Sequence, residues 1–592
     1  MNDRCVSRLE DLPDELFIFI CRYLNIFEIL HSFTGLNTRL SQTINEFSQT
    51  IDLNSIPLRL IQHFLDEIFP RISSNVRRLI FLDDLQRFPV DLDLFDNLES
   101  VHYFNHFSED FPRDIREIEI DSVANELRTD LLQTVFSSKK YSNLQSLSLS
   151  SYHGFTFSTS QLKNLTQIKS LKINLKNNVD FFELLYLLSS SIEYLDLHIL
   201  YNGPFKPSTT KDKELKLDKL RCFHLKTTFE DSIKFQELEK LILQSFRSLE
   251  EFSIQSLTRD PFYIDGYQWE KFLSQLISLK TFLFSIRYRF AILDNVDQQL
   301  REEILFQSFS SEFWLKQRKW FIKSYSTIPN FEQTCSYRTR IYGKLFLHSI
   351  PYPYQYLDAT IDINRGISTI DQSFRRIYSN VRHLYYDGEN IPIDIEQLKT
   401  ILDQFKYLNE LKFDRLIIDS SFSDLSRPMK LPSHLNKLII YNKDEQISFD
   451  LSLLNLSSIH NLRYIRIPQI LLPDYRQMPK QLETLILTEC RDLNFHFVHQ
   501  YQHLRRLKLF LNNFDRLLEN YGQLLNSLIQ SIYINNQTIE SLQLMCPGVS
   551  QAKMKTFEKQ FNSNRTDYLT ANYDGKSLTI ERLIDFYHQT IN

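Results

Sequence analysis

Glycine is nearly missing from this sequence, with 10 among 592 residues, against an average share of about 7%. Loops that cradle phosphate need glycine for close backbone approach, and neither G-x-G-x-x-G nor G-x-x-x-x-G-K-[ST] occurs. Nucleotide binding by either route therefore has little material to work with. Cysteine is also sparse: Cys5, Cys21, Cys222, Cys335, Cys490 and Cys546 are scattered and form no C-x-x-C pair. Neither a disulfide framework nor a zinc knuckle is expected, and a reducing compartment fits best. Long apolar runs are missing too. Even 181–195, FFELLYLLSSSIEYL, carries two glutamates, and no run approaches the roughly 20 residues that span a bilayer. Glu10, Asp11, Asp14 and Glu15 precede only the short run LFIFI, so a secretory leader is not expected. The charge is balanced, at -5 overall, which gives no broad footprint for nucleic acid or an anionic membrane. The expectation is a soluble chain, cytoplasmic or nuclear, without a nucleic-acid or membrane partner.

Catalytic patterns are equally hard to find. There is no G-x-S-x-G elbow, and no Cys-His or paired-carboxylate arrangement can be singled out among 73 acids. His496, His499 and His503 share one helical face by spacing, but no carboxylate accompanies them at ligand distance. No metal, no cofactor and no enzymatic activity are expected. One local mixture of charge and rings, WLKQRKWFIKSY at 314–325, admits two readings: a strip that stacks bases and holds phosphates, or a solvated basic face over a buried aromatic face. The second is the expectation.

What is plentiful is apolar residues, 42% of the chain, including 47 Phe and 29 Tyr. They recur as apolar-x-x-apolar-x-apolar. Copies begin at Val76, Leu98, Ile115, Leu144, Ile168, Ile192, Leu220, Leu249 and Leu279, then again at Val381, Leu408, Leu435, Leu462, Leu482, Leu504 and Ile539. Chance alone gives this pattern roughly 40 times at such a composition. Spacing lifts it above chance. The steps 381 to 408, 408 to 435 and 435 to 462 are each 27 residues, inside the roughly 20 to 29 of leucine-rich repeats. Several copies share a preceding polar step, as in DNLES, SNLQS, SNVRH and HNLRY.

The chain thus resembles degenerate leucine-rich repeats, which implies short strands with helices packed behind them. FQELEKLILQSF (235–246) and YQWEKFLSQLIS (267–278) have the three-to-four spacing of such helices. The family's Asn or Cys after the last apolar residue is matched by Cys490 and Asn512 but not by Tyr152, Leu200 or Arg287. The expected organisation is α/β: repeat array I over 51–285, a β-rich insertion or edge module over 286–376, array II over 377–548 and a C-terminal cap over 549–592. Strand positions between the inward pairs, on the concave face, are candidates for holding a target. They are Tyr194, Asp196, His198, His224, Tyr385, Asp387, Lys412, Tyr464, Arg466, Arg506 and Lys508.

Ahead of the repeats, Pro13, Asp14 and Glu15 specify a helix start, and Leu16, Ile20 and Leu24 follow at spacing four. Asn25 and Glu28 then open a second helix with an apolar face of Ile29, Phe33, Leu36 and Leu40. Such a pair is too small for a core of its own. Leu9-x-x-Leu12-Pro13-Asp14-Glu15-Leu16-x-x-x-Ile20, Leu24 and Glu28-Ile29 resemble an F-box over 7–50. That resemblance implies docking on the Skp adaptor of a cullin-RING ubiquitin ligase through Leu12, Pro13, Leu16, Ile20, Leu24 and Ile29. It also implies that the repeats hold a target protein for ubiquitination. The alternative is a non-catalytic repeat scaffold without ligase recruitment.

Overall fold

The computed structural model describes 12–21, 26–34, 38–53, 62–81, 97–104, 115–122, 143–151, 168–177, 191–201, 217–230, 233–291, 305–327, 342–360, 367–368, 377–387, 392–393, 395–414, 417–418, 431–441, 454–468, 478–490, 503–511, 541–545, 551–563, 569–573 and 577–582, with some isolated positions. The chain forms two compact units. The first is Met1–Arg318 with Glu332–Leu347, and the second is Lys319–Phe331 with His348–Asn592.

The first unit opens with three short helices, α1 (Asp14–Cys21), α2 (Ile26–Phe33) and α3 (Thr38–Ser48). The sequence suggests that the second helix runs on to Leu40; instead it stops at Phe33, and Leu40 lies on α3. Phe17, Ile29, Leu30, Leu40 and Ile44 are buried, and Phe17 meets the Phe33 ring edge-on at 4.8 Å. Asp14 accepts from Arg39 Nε at 2.9 Å, tying α1 to α3.

Ten strands follow: β1 (Thr50–Asp52), β2 (Arg78–Ile80), β3 (Ser100–Phe104), β4 (Glu117–Ser122), β5 (Ser146–Ser151), β6 (Ser170–Leu175), β7 (Tyr194–Ile199), β8 (Cys222–Thr227), β9 (Glu251–Thr258) and β10 (Thr281–Ala291). Each pairs in parallel with the next. Side chains alternate along a strand, so one face of every strand carries the repeated apolar residue. Leu79, Val101, Ile118, Leu147, Leu171, Leu195, Phe223, Phe252 and Phe282 stand in register and are all buried. The backbone repeats as faithfully. One carbonyl just before each strand accepts two successive amides of the next, as Glu193 O does from Arg221 and Cys222 at 2.9 and 3.1 Å.

Helices α4 (Phe235–Ser245) and α5 (Gly266–Leu273) lie against the buried face of the later strands. Phe235 on α4 meets the Trp269 ring of α5 at 4.8 Å, and Trp269 reaches Phe282 of β10 at 5.0 Å. Burying each of these rings is worth about 2 to 3 kcal/mol.

Strands β11 (Phe321–Thr327), β12 (Tyr342–Ile350), β13 (Tyr356–Thr360) and β14 (Ile367–Ser368) fall inside the expected insertion. The second unit's ten-stranded sheet already begins at β13, one strand before the expected boundary at 377, because β13 pairs in parallel with β15 (His383–Asp387). A two-residue pair, β16 (Pro392–Ile393) with β18 (Ile417–Ile418), and helix α6 (Ile395–Leu402) lie beside it in sequence. The sheet continues through β17 (Glu410–Asp414), β19 (Lys437–Tyr441), β20 (Tyr464–Pro468), β21 (Thr484–Cys490), β22 (Arg506–Leu511) and β23 (Ser541–Met545), all parallel. Leu357, Leu384, Leu411, Leu438, Ile465, Leu485, Leu507 and Leu542 form its buried ladder. After helix α7 (Gln551–Ser563), an antiparallel hairpin of β24 (Leu569–Tyr573) and β25 (Ser577–Arg582) closes the edge, β25 lying against β23. Each unit is therefore a leucine-rich-repeat-like array, and all sixteen copies of the sequence pattern coincide with strands.

The polar step ahead of many copies has a structural role. Asn97 donates to Ser74 O at 2.6 Å, Asn380 to Tyr352 O at 3.2 Å and Asn461 to Ser433 O at 3.1 Å. Ser191 and Gln481 do the same for their repeats. Here the polar ladder precedes the strand.

Candidate functional site

Three surfaces bear on function. On α1, Phe17 and Cys21 face the core while Leu16 is 52% exposed and Phe19 51% exposed. Pro13 is exposed, and Leu12, Ile20 and Leu24 are half-buried. Ile29 departs from expectation: it is 2% exposed and packs inside the helices rather than facing outward. At spacing three from Leu16, Phe19 shares the outer face of α1, and the helical period could have shown it.

The second surface is the outward face of the first unit's sheet. Asp196 stands in register between Lys172 and His224, and His198 between Asn174 and Lys226. His224 Nε2 lies 3.0 Å from Glu251 Oε1, and Nδ1 lies 3.3 Å from the Tyr194 hydroxyl. A carboxylate only accepts, so in the neutral ring Nε2 carries the hydrogen and Nδ1 accepts from Tyr194. Burial pushes the Tyr194 phenol up to about 12, with Asp196 and Glu251 adding to it. Burial likewise pushes the Asp196 carboxyl up, against the pull of His224, Lys172 and Lys226. It drives His198 down to about 3, helped by Lys226, and lowers Lys226 itself. Tyr194 is thus held protonated and His198 neutral, so neither is poised to exchange a proton near neutral pH. These positions form a desolvated polar network suited to hydrogen-bonding a surface.

The third surface is the outward face of the second unit. Glu410 gathers His383 Nδ1 at 3.2 Å, Lys412 Nζ at 3.0 Å and Lys437 Nζ at 3.4 Å. Burial alone would raise its carboxyl; the Lys412 hydrogen bond and the charges of Lys437 and Lys412 outweigh that and hold it low. The Tyr385 hydroxyl donates to Asp414 Oδ2 at 2.7 Å. Tyr385, Lys412, Ile439, Arg466, Ile486 and Lys508 lie in one register row. Arg466 lies 5.0 Å over the Tyr441 ring and 5.4 Å from that of Phe510, and Lys508 stands 5.4 Å from Phe510. Lys437 lies 5.0 Å over Tyr464, and Arg506 is exposed in the adjacent row. The rule of alternation that selects Lys412 also selects Lys437, Tyr441 and Phe510, which the sequence reasoning missed. The side chain of Asp387 and residues His496 and His499 lie outside the described residues, and among those described no group of three His, Cys, Asp or Glu could hold a metal.

The 314–325 segment buries the rings of Trp314 and Tyr325 with Ile322, leaves Trp320 and Phe321 half-buried, and exposes Lys316. Lys323 is the exception. It is 6% exposed, with its ammonium 5.4 Å over the Tyr378 ring. His348, fully enclosed beside it, lies 3.0 Å from Ser349 O through Nδ1 and 3.4 Å from the Tyr378 hydroxyl through Nε2. Burial lowers Lys323 to about 8 and His348 to about 3. No helix among the described residues is long and apolar enough to cross a membrane.

No family model and no curated protein matches the sequence. Among solved structures the chain is similar to an internalin from Listeria monocytogenes, 12% identical over 78% of this chain and 93% of that one, with a TM-score of 0.18. It is also similar to the mouse RP105/MD-1 complex, 12% identical over 84% and 83%, with a TM-score of 0.23. The fold described above rests on this chain's own strand register.

Proposed function

We propose that this chain is the non-catalytic substrate receptor of an SCF-type ubiquitin ligase. The N-terminal helices dock on the Skp adaptor and, through it, on the cullin-RING core, while the outward faces of the repeat sheets hold a target protein. The observation that carries this reading is α1 itself, a helix with one face sealed against its neighbours and the other exposing Leu16 and Phe19. Half-exposed apolar side chains grouped on one helix face mark sites that a partner covers. The desolvated polar networks on both sheets supply a second, separate surface for the target. The receptor breaks and makes no bonds. Holding the target beside a charged conjugating enzyme raises its effective concentration, and transfer follows from proximity.

The test is recovery of the Skp adaptor with the full-length chain carrying Leu16→Asp and Phe19→Asp. Both side chains are about half exposed, so the fold is expected to persist while adaptor recovery drops about tenfold or more. Recovery equal to wild type sinks the docking face. If the unaltered chain captures no adaptor at all, it is a repeat scaffold without ligase recruitment.

A further inference from the structure

Rows of outward residues run across the strands of the first unit, and one of them has hydrogen-bonding capacity to spare. Asn174 on β6, His198 on β7, Lys226 on β8, Gln255 on β9 and Ser285 on β10 stand in register. Asn174 is engaged, donating to Ser150 Oγ at 3.2 Å and Ser151 O at 3.3 Å. His198 Nε2 is buried and has no hydrogen-bond partner. Lys226 and Gln255, both half-buried, make no side-chain hydrogen bond or ion pair among the described residues. Neighbouring strands lie about 4.8 Å apart, so His198 and Gln255 flank Lys226 closely enough to share one bound group with it.

The charges around Lys226 leave its ammonium unsettled. Burial lowers its pKa, Arg287 and Lys172 repel the charged form, and Asp196 attracts it without pairing. Two residues along the same strands the outward positions are Asp196, His224 and Ser253 on one side and Leu200, Thr228 and Leu257 on the other. Asp196 is the carboxylate among them, and burial already holds its carboxyl up. A half-desolvated ammonium gains most from an acceptor of opposite charge. One negative charge balances it, whereas a doubly charged phosphoryl group would press on Asp196 as well.

Resting on the receptor reading above, we infer that Lys226, flanked by His198 and Gln255, seats a side-chain carboxylate from an extended segment of the target protein. Lys226 supplies the charge. Gln255 and His198, in the tautomer with its hydrogen on Nε2, supply the flanking hydrogen bonds. The row is five strands long with Lys226 at its centre, about 19 Å from end to end, which an extended chain of about six residues covers. Such a chain continues past the ammonium in both directions, which favours a side chain over a chain end.

The readout is the rate at which an acetyl N-hydroxysuccinimide ester acylates Lys226 in the full-length protein, followed by mass spectrometry. Exposed Lys172 on the same face is the reference. Sodium acetate replacing sodium chloride at constant ionic strength is expected to slow Lys226 about fivefold or more, with Lys172 little changed. It is also expected to raise the pH of half-maximal labelling at Lys226, because only the free amine reacts and a neighbouring anion favours the charged form. An acetylated, amidated seven-residue peptide of Ser and Thr with one central Glu is expected to protect at lower concentration than acetate, and its Gln counterpart not at all. His198→Leu and Gln255→Leu are each expected to weaken that protection about threefold or more.

Unchanged labelling of Lys226 in acetate and in peptide overturns the assignment, as does equal slowing of both lysines, which would be general screening. Protection by inorganic phosphate at much lower concentration than acetate would make this a phosphoryl seat instead. Protection by the Gln peptide with a free C-terminal carboxylate, at lower concentration than by the Glu peptide, would replace the side chain with a chain end. Adaptor recovery is expected to be the same in Lys226→Met as in wild type. Failure here therefore leaves the N-terminal docking reading standing, and failure there leaves this carboxylate seat.

Discussion

Lys323 shows how a single residue can run against its own segment. The sequence places it on a basic face, yet on β11 it is 6% exposed and its ammonium looks at a tyrosine ring. Periodicity shows which residues share a face but not whether a second layer covers it, so this burial was not legible. The energetic consequence has a definite sign. Burial depresses the folded pKa to about 8 from 10.5, so below pH 8 both states carry the proton and the folded one bears a penalty of about 3 kcal/mol. Between pH 8 and 10.5 the unfolded state binds more protons and stability rises. Lys323→Met, which keeps the length and removes the charge, is expected to be more stable than wild type at pH 7 by up to about 3 kcal/mol. Urea unfolding of the two proteins side by side should show that gap closing by pH 10.5. A gap that does not change with pH would mean that the charge is not what the site penalises.

Among the elements, strand positions were readable because each repeat asks the same thing of the same residues. Leu147, Leu171 and Leu195 occupy one inward row, and the sequence spaces them 24 apart. Strands β11 to β14 fall in the segment expected to be β-rich, but which strand pairs with which there was not readable, and neither was the β24–β25 hairpin, because these strands carry no copy of the repeated pattern. Ile29 was placed outward by the resemblance alone; the helical period already groups it with Phe33 on one apolar face of α2, and that face packs inward. Scarce glycine, however, marks one helix start. Asp265 caps α5 by accepting from Tyr267 N at 2.9 Å, and Gly266 N donates to Ser308 Oγ at 2.8 Å. A Cβ at 266 would collide with the backbone carbonyl of Ser308. Gly266→Ala is therefore expected to destabilise the first unit by about 1 to 3 kcal/mol, despite the higher helix propensity of alanine. Thermal unfolding checks it; a rise in midpoint would show that the 305–310 segment simply moves aside.

At the scale of the whole molecule, each array is a row of units that bury one another, so stability is a sum of local and nearest-neighbour contributions. The equal 27-residue steps from 381 to 462 already implied this one-dimensional order. They could not show how the row ends, since β25 returns antiparallel against β23 and closes the edge with a hairpin instead of another repeat. The hairpin makes β24 the last strand of the sheet. One-dimensional order also predicts how damage spreads. Leu485 on β21 is fully buried between Ile465 and Leu507 in the ladder, and truncation of such a leucine costs about 3 kcal/mol. In Leu485→Ala, amide exchange is expected to accelerate most in β20, β21 and β22 and least in β13 and β15 at the far end of the same sheet. A uniform loss of protection across all strands of the second unit would mean that it opens as one cooperative block, and that its repeats do not hold one another pairwise.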